Sequence, residues 1–283
     1  MSAALIRVAL LVPVLLAPGA CGFVGDVDFD GVAVREHDGL VYADNVALRH
    51  VRWVMVDVPA DAGALELASA TRDIRVATAA PGMPGRLEAQ LFSELEGDGS
   101  MSLARGRLEA SSTAGGKVLV NGLRGTVPAG TPLALSNGSG AISAQFEHGL
   151  SGLHVKAGTG AVDAAGGPAG AIDVKSGTGD VSLADVAGER ALISCGTGRL
   201  NVTRLKCTRL EVQTGTGSVG LKGLGAEALE IETGTADVRL EDCTLGTTRV
   251  KSGTGDVRLA GTNDLGAVSY ELGTGNVRRE SGP

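Results

Sequence analysis

The sequence predicts an all-β, single-domain β-solenoid of roughly ten coils, with about 19 residues per coil in its C-terminal half and an irregular N-terminal β cap. Three observations predict it. A Gly-Thr-Gly motif recurs with its first glycine at Gly158, Gly177, Gly196, Gly215, Gly234, Gly253 and Gly273, a spacing of 19 five times and then 20, with the copy Gly234-Thr235-Ala236 losing its second glycine, and a fixed period near twenty residues is the signature of a repeat architecture. Between motifs apolar and polar residues alternate, as in Ala171-Ile-Asp-Val-Lys-Ser176, the pattern of a strand with one buried face. The chain is 43% hydrophobic but only 2% aromatic, with 44 glycines among 283 residues, so its core is built of Val, Leu, Ile and Ala, which suits thin stacked strands.

The apolar fraction is too high for a disordered chain. A net charge of -7 and a pI near 5.2 give no footprint for nucleic acid. Residues 1–21 read as a signal peptide: Arg7 supplies a positive charge, Val8-Ala-Leu-Leu-Val-Pro-Val-Leu-Leu16 an apolar run, and Ala17-Pro-Gly-Ala-Cys21 a small-residue end. The run falls short of the roughly 20 residues that span a bilayer. Gly19-Ala20-Cys21 resembles the lipobox of bacterial lipoproteins, which implies lipidation of Cys21 and a membrane anchor. Pro18 stands where a lipobox carries Leu, so lipid anchoring and plain secretion both stay open. Either way the protein is expected outside the cytoplasm: an outer-membrane or cell-surface lipoprotein, otherwise periplasmic or secreted.

Residues 22–60 do not follow the repeat. Turn signals at Asp28-Phe-Asp-Gly31 and His37-Asp-Gly39 separate short apolar runs, and Val51-Arg-Trp-Val-Met-Val-Asp-Val58 closes the segment with the only tryptophan. These read as the strands of a cap, which a solenoid needs to cover its first open coil. The solenoid is assigned to residues 61–283. Leu65 and Leu67 are followed nine residues later by Ile74 and Val76, and Leu133 and Leu135 by Ile142 and Ala144. The stretch from Ala80 to Gly130 is looser, with coils expected near Met101-Ser-Leu103, Leu108-Glu-Ala110 and Val118-Leu-Val120 among longer loops.

In the regular coils Gly-Thr-Gly is read as a turn between two short strands, because glycine takes positive φ without a Cβ penalty. Aligned coils give two inward columns: Val155, Val174, Ile193, Val212, Ile231, Val250, Tyr270, and Val162, Val181, Leu200, Val219, Val238, Val257, Val277. Stacked about 4.8 Å apart, ten coils make a rod of about 50 Å. In the last coil Arg279 takes an inward place held by aliphatics elsewhere, a blunted edge that leaves end-to-end self-association as a possible partner interaction.

The segments Val127-Pro-Ala-Gly130, Leu133-Ala-Leu-Ser-Asn-Gly-Ser-Gly-Ala-Ile142 and the Lys-Ser-Gly-Thr-Gly-Asp-Val coils resemble the bacterial putative-adhesin family over about residues 60–280. The resemblance implies a glycine-turn β-strand-repeat domain of unknown function on secreted or envelope-anchored proteins. It brings no catalytic residues.

Thr159, Thr178, Thr197, Thr216, Thr235, Thr254 and Thr274, preceded by Ser139, form the most regular polar column. They are a candidate ridge for a repetitive ligand such as a glycan or other cell-surface ligand; the simpler reading is that each hydroxyl satisfies backbone at the turn or bonds its neighbour. The position after Gly-Thr-Gly reads Ala161, Asp180, Arg199, Ser218, Asp237, Asp256 and Asn276, and Arg199 is incompatible with a row of calcium sites. Cys207 and Cys243 fall two coils apart, about 10 Å, beyond the roughly 7 Å Cα limit of a disulfide. No metal or cofactor motif and no catalytic site is read from the sequence. Outward positions Lys156, Lys175, Ser194, Gln213, Glu232, Lys251 and Glu271 do not gather the carboxylates of a polysaccharide lyase or hydrolase. The expected function is therefore a non-catalytic binding, adhesion or scaffold module of the envelope, with a β-helix enzyme on polysaccharide and a self-assembling filament as alternatives.

Overall fold

A computed structural model describes residues 27–29 and 32–280. The signal-peptide and Cys21 readings lie outside the described residues. All the described secondary structure is β.

The first unit is a four-stranded antiparallel meander, Val27–Phe29, Val32–His37, Leu40–Ala43 and Val46–Leu48. Its two-residue turns, Asp38-Gly39 and Asp44-Asn45, have positive φ at both positions, the geometry that matches the twist of a hairpin. Val34, Val41, Ala43 and Leu48 form its buried face and pack on Ala68, Ala70, Phe92 and Leu119.

The strand His50–Val58 pairs antiparallel with Gly85–Ser93, which pairs antiparallel with Val118–Val127. Ser100–Ala104 and Arg107–Ser111 form a further hairpin. Val56, Leu87, Leu91, Leu108 and Val118 are buried beneath these strands and cover the end of the core. The stretch 85–127 thus corrects the expectation of extra coils between residues 80 and 130. Its strands pair with partners distant in sequence, and it touches the stack through Arg107 beside Glu66 and through Leu123–Val127 lying parallel to Ile74–Thr78.

Beyond this point every pairing is parallel. One column of strands carries Leu65, Leu133, Leu153, Ile172, Ala191, Leu210, Leu229, Thr248 and Val268 in register. A second carries Ile74, Ile142, Val162, Val181, Leu200, Val219, Val238, Val257 and Val277. Nine layers at about 4.8 Å make a stack of about 40 Å, in keeping with the roughly ten coils expected. The predicted inward positions are buried from Val155 to Val257. Branched aliphatics suit this seam because each packs on its own kind above and below.

Two features of the coil differ from the sequence reading. Arg190–Thr203, Lys206–Lys222 and Gly225–Glu241 each run through the Gly-Thr or Gly-Thr-Gly corner as a continuous strand, so the motif is a corner in a ladder. Its glycines are required by close stacking: a Cβ on Gly217 would lie 1.9 Å from the Gly198 carbonyl oxygen. The second glycine of the motif sits at positive φ, as the sequence reading had it (Gly179, Gly198, Gly217, Gly255 and Gly275, φ +141 to +154), and a further column that the reading missed, Gly166, Asp185, Arg204, Gly223, Asp242 and Gly261, is also at positive φ, each 19 residues from the next.

Candidate functional site

Two surfaces stand out. The first is the threonine column. Thr178, Thr197, Thr216, Thr235, Thr254 and Thr274 pair residue to residue across successive coils, and Thr159 bonds the coil below through its backbone nitrogen, 3.0 Å from the Gly138 carbonyl oxygen. All seven are exposed. Strand alternation explains the direction: Ser176, Thr214, Thr233 and Ser252, two residues earlier, point inward and are buried. Among the described residues none of the seven exposed hydroxyls makes a side-chain hydrogen bond, which corrects the simpler reading that they satisfy backbone or one another. The stacked chain bonds its own amides through the ladder, leaving the hydroxyls to solvent or ligand.

The aspartates beside this ridge have a structural duty. The Arg199 amide donates to Asp180 Oδ1 at 2.8 Å, the Asp256 amide to Asp237 Oδ1 at 2.9 Å, and the Asn276 amide to Asp256 Oδ1 at 3.0 Å. Each carboxylate therefore ties its corner to the next coil. The cysteines are equally internal. Cys195, Cys207 and Cys243 are free thiols; burial pushes Cys207 up to about 11 and raises Cys195 and Cys243 as well.

The second surface escaped the sequence reading. A cleft of about 460 Å³ opens where the meander, the cap sheet and the first coil meet, and Glu36, Trp53, Arg72, Gln90, Gly122 and Arg124 line it. Its geometry begins with a β-bulge. Register shifts between Val120 and Leu123, which turns Asn121 inward and sets Gly122 at φ +108. Bulges re-aim side chains in this way. Buried Asn121 accepts at Oδ1 from the amides of Thr71 and Arg72, at 2.9 and 3.0 Å, and donates to Thr71 Oγ1 at 2.8 Å. The buried amide thereby fixes the turn that presents Thr71, Arg72 and Asp73. Arg72 meets Glu36 at 2.8 Å and donates to Gln90 Oε1 at 3.2 Å; its guanidinium lies 5.0 Å from the Phe92 ring centroid. Arg124 bonds Glu88 at 2.6 Å and covers the Trp53 ring at 4.2 Å, and Arg75 bonds Asp73 at 2.8 Å. These residues come from five separate segments, and only the solitary tryptophan in a segment of alternating apolar residues hinted at them.

Residues 24–280 match the sequence profile of the Toastrack DUF4097 family. The chain belongs to the Toastrack family. The match takes in the meander and cap together with the stack. Solved structures show the same fold: the crystal structure of a putative adhesin from Parabacteroides distasonis is 15% identical with a TM-score of 0.59, covering 82% of this chain and 97% of that one. A putative adhesin from Parabacteroides merdae is 11% identical, TM-score 0.58, with the same coverage. A putative lipid binding protein from Parabacteroides distasonis is 11% identical, TM-score 0.53, covering 82% and 98%. At these identities the likeness is one of fold. No curated protein matches the sequence.

Proposed function

We propose that this Toastrack protein is a non-catalytic binding or adhesion module of the cell envelope, exported by residues 1–21 and held at the membrane through a lipid on Cys21. The observation that carries the binding role is the row of seven exposed threonine hydroxyls in register, without protein partners, flanked by glycines that keep side chains out of the way. Groups repeated about every 4.8 Å suit a ligand that is itself repetitive, such as a glycan chain. Proteins of the same fold described as putative adhesins support this direction. The carboxylates nearest the cleft are occupied in ways that suit binding better than acid–base catalysis. Glu36 takes bonds from Arg72 and Thr71, and Asp73 from Arg75 and the Ala141 amide.

The test is a pelleting assay against insoluble polysaccharides and isolated cell walls, comparing wild type with the triple variant Thr197→Val, Thr216→Val, Thr235→Val. Wild type sediments with at least one polymer and the triple variant stays in the supernatant; equal sedimentation of both contradicts the ridge. Localisation is read by membrane fractionation of wild type against Cys21→Ala, where the variant is expected to leave the membrane fraction. If both partition alike, the anchor is absent.

A further inference from the structure

We propose that the cleft at the cap is a second binding site, for one or two rings of an uncharged saccharide. The inference rests on the binding-module reading of the molecule and is independent of the threonine ridge.

Three observations carry it. Trp53, the only tryptophan of the chain, lies on the cleft wall with 47% of its surface open. Arg124 covers one face of the ring at 4.2 Å, and the part of the indole left open is an apolar surface against which the C–H face of a pyranose can pack. A Cβ at Gly122 would stand 3.0 Å from Gln90 Oε1 and 3.3 Å from Arg72 Cβ, so the Gln90 and Arg72 side chains close over the bulge and form a polar floor. The polar rim offers donors and acceptors side by side, because each arginine is matched with a carboxylate: Arg72 with Glu36, Arg75 with Asp73, and Arg124 with Glu88.

Charge balance selects the ligand class. Three guanidiniums alone would attract a phosphate or carboxylate, but here each is already neutralised at 2.6 to 2.8 Å, in a chain of net charge -7. An anion would have to displace a carboxylate from its arginine and leave that carboxylate unpaired. Vicinal hydroxyls, which donate and accept, bridge such pairs without breaking them. The volume of about 460 Å³ lies within the range of small-ligand sites, and such sites combine an apolar wall with a few placed polar groups.

Because Trp53 is the sole tryptophan, its emission reports occupancy directly. Titration with neutral trisaccharides built of glucose, mannose, galactose or N-acetylglucosamine is expected to give a saturable change in emission with at least one of them. Inorganic phosphate is expected to give none. Gln90→Ala, which removes an outward-facing amide and leaves the strand pairing intact, weakens that saccharide at least about tenfold. Trp53→Leu, followed by calorimetry, abolishes it, with circular dichroism and thermal melting confirming that both variants fold. The threonine triple variant binds the saccharide as wild type does, so failure of the ridge and failure of the cleft are separately visible. No response to any of the four sugars, a saturable response to phosphate in their place, or unchanged affinity in both cleft variants overturns the assignment.

Discussion

Thr214 and Thr216 stand two residues apart and do opposite things. Thr214 is buried with its Oγ1 unbonded, whereas Thr216 is exposed. A buried hydroxyl without a partner loses its hydration for nothing, so Thr214→Val, which keeps the shape, is expected to raise stability by about 1 kcal/mol, and Thr216→Val to change it by less than about 0.5 kcal/mol. Chemical denaturation of the two variants checks the sign; a loss of stability in Thr214→Val would contradict the buried orientation. Asn121 is the contrary case. Removing its amide strands the Thr71 and Arg72 amides in the interior, so Asn121→Ala is expected to cost about 2–4 kcal/mol and to loosen the cleft. The position of the threonine row was legible in the sequence because strand alternation and the 19-residue beat place it. Whether its hydroxyls bond inward was not, since that depends on how the ladder satisfies the neighbouring amides.

Among elements, the stack and the cap are held by different means. A mid-stack position such as Ile193, fully buried between Val174 and Val212, is expected to cost about 2–5 kcal/mol on truncation to alanine. Val277, 40% exposed in the last coil, is expected to cost less than about 1 kcal/mol. The 95–117 segment is pinned by Asp98, which accepts from the Ser112 hydroxyl at 2.6 Å and from the Gly99, Thr113 and Ala114 amides. These bonds, the Ser112 hydroxyl first, hold its carboxyl well below the usual carboxylate range. The stabilisation is therefore fully present above the unfolded value of about 3.9 and is lost only as pH falls toward the depressed folded value. Thermal melting of wild type and Asp98→Ala should differ at pH 7 and at pH 4, with the gap closing only at lower pH; a gap that already closes between pH 6 and 4 would contradict the assignment. The repeated strands were legible because their period is local. The cap was not, because His50–Val58, Gly85–Ser93 and Val118–Val127 find one another across tens of residues without a repeat. The left-handed column escaped because Asp185 and Arg204 do not announce positive φ as glycine does.

At the scale of the molecule, one end is covered by antiparallel cap strands and the other shows an unpaired coil in which Val268 and Val277 are 37% and 40% exposed. Arg279 occupies the inward column after Leu240 and Leu259, and a charge at a strand edge opposes addition of another chain. Arg279→Leu is expected to make the sedimentation coefficient rise with concentration, while wild type changes little. Identical behaviour of the two would show that this residue does not guard the edge. The cleft could not be foreseen from the sequence because it exists only where five segments meet. The direct test of the account is a spectrum of the protein labelled at threonine methyls, recorded with a soluble fragment of whichever polysaccharide sediments it. The account predicts that Thr178, Thr197, Thr216, Thr235 and Thr254 shift together while buried Thr214 and Thr233 stay in place. Shifts confined to Thr71 beside the cleft, or absent throughout the row, would contradict the threonine ridge as the surface that binds.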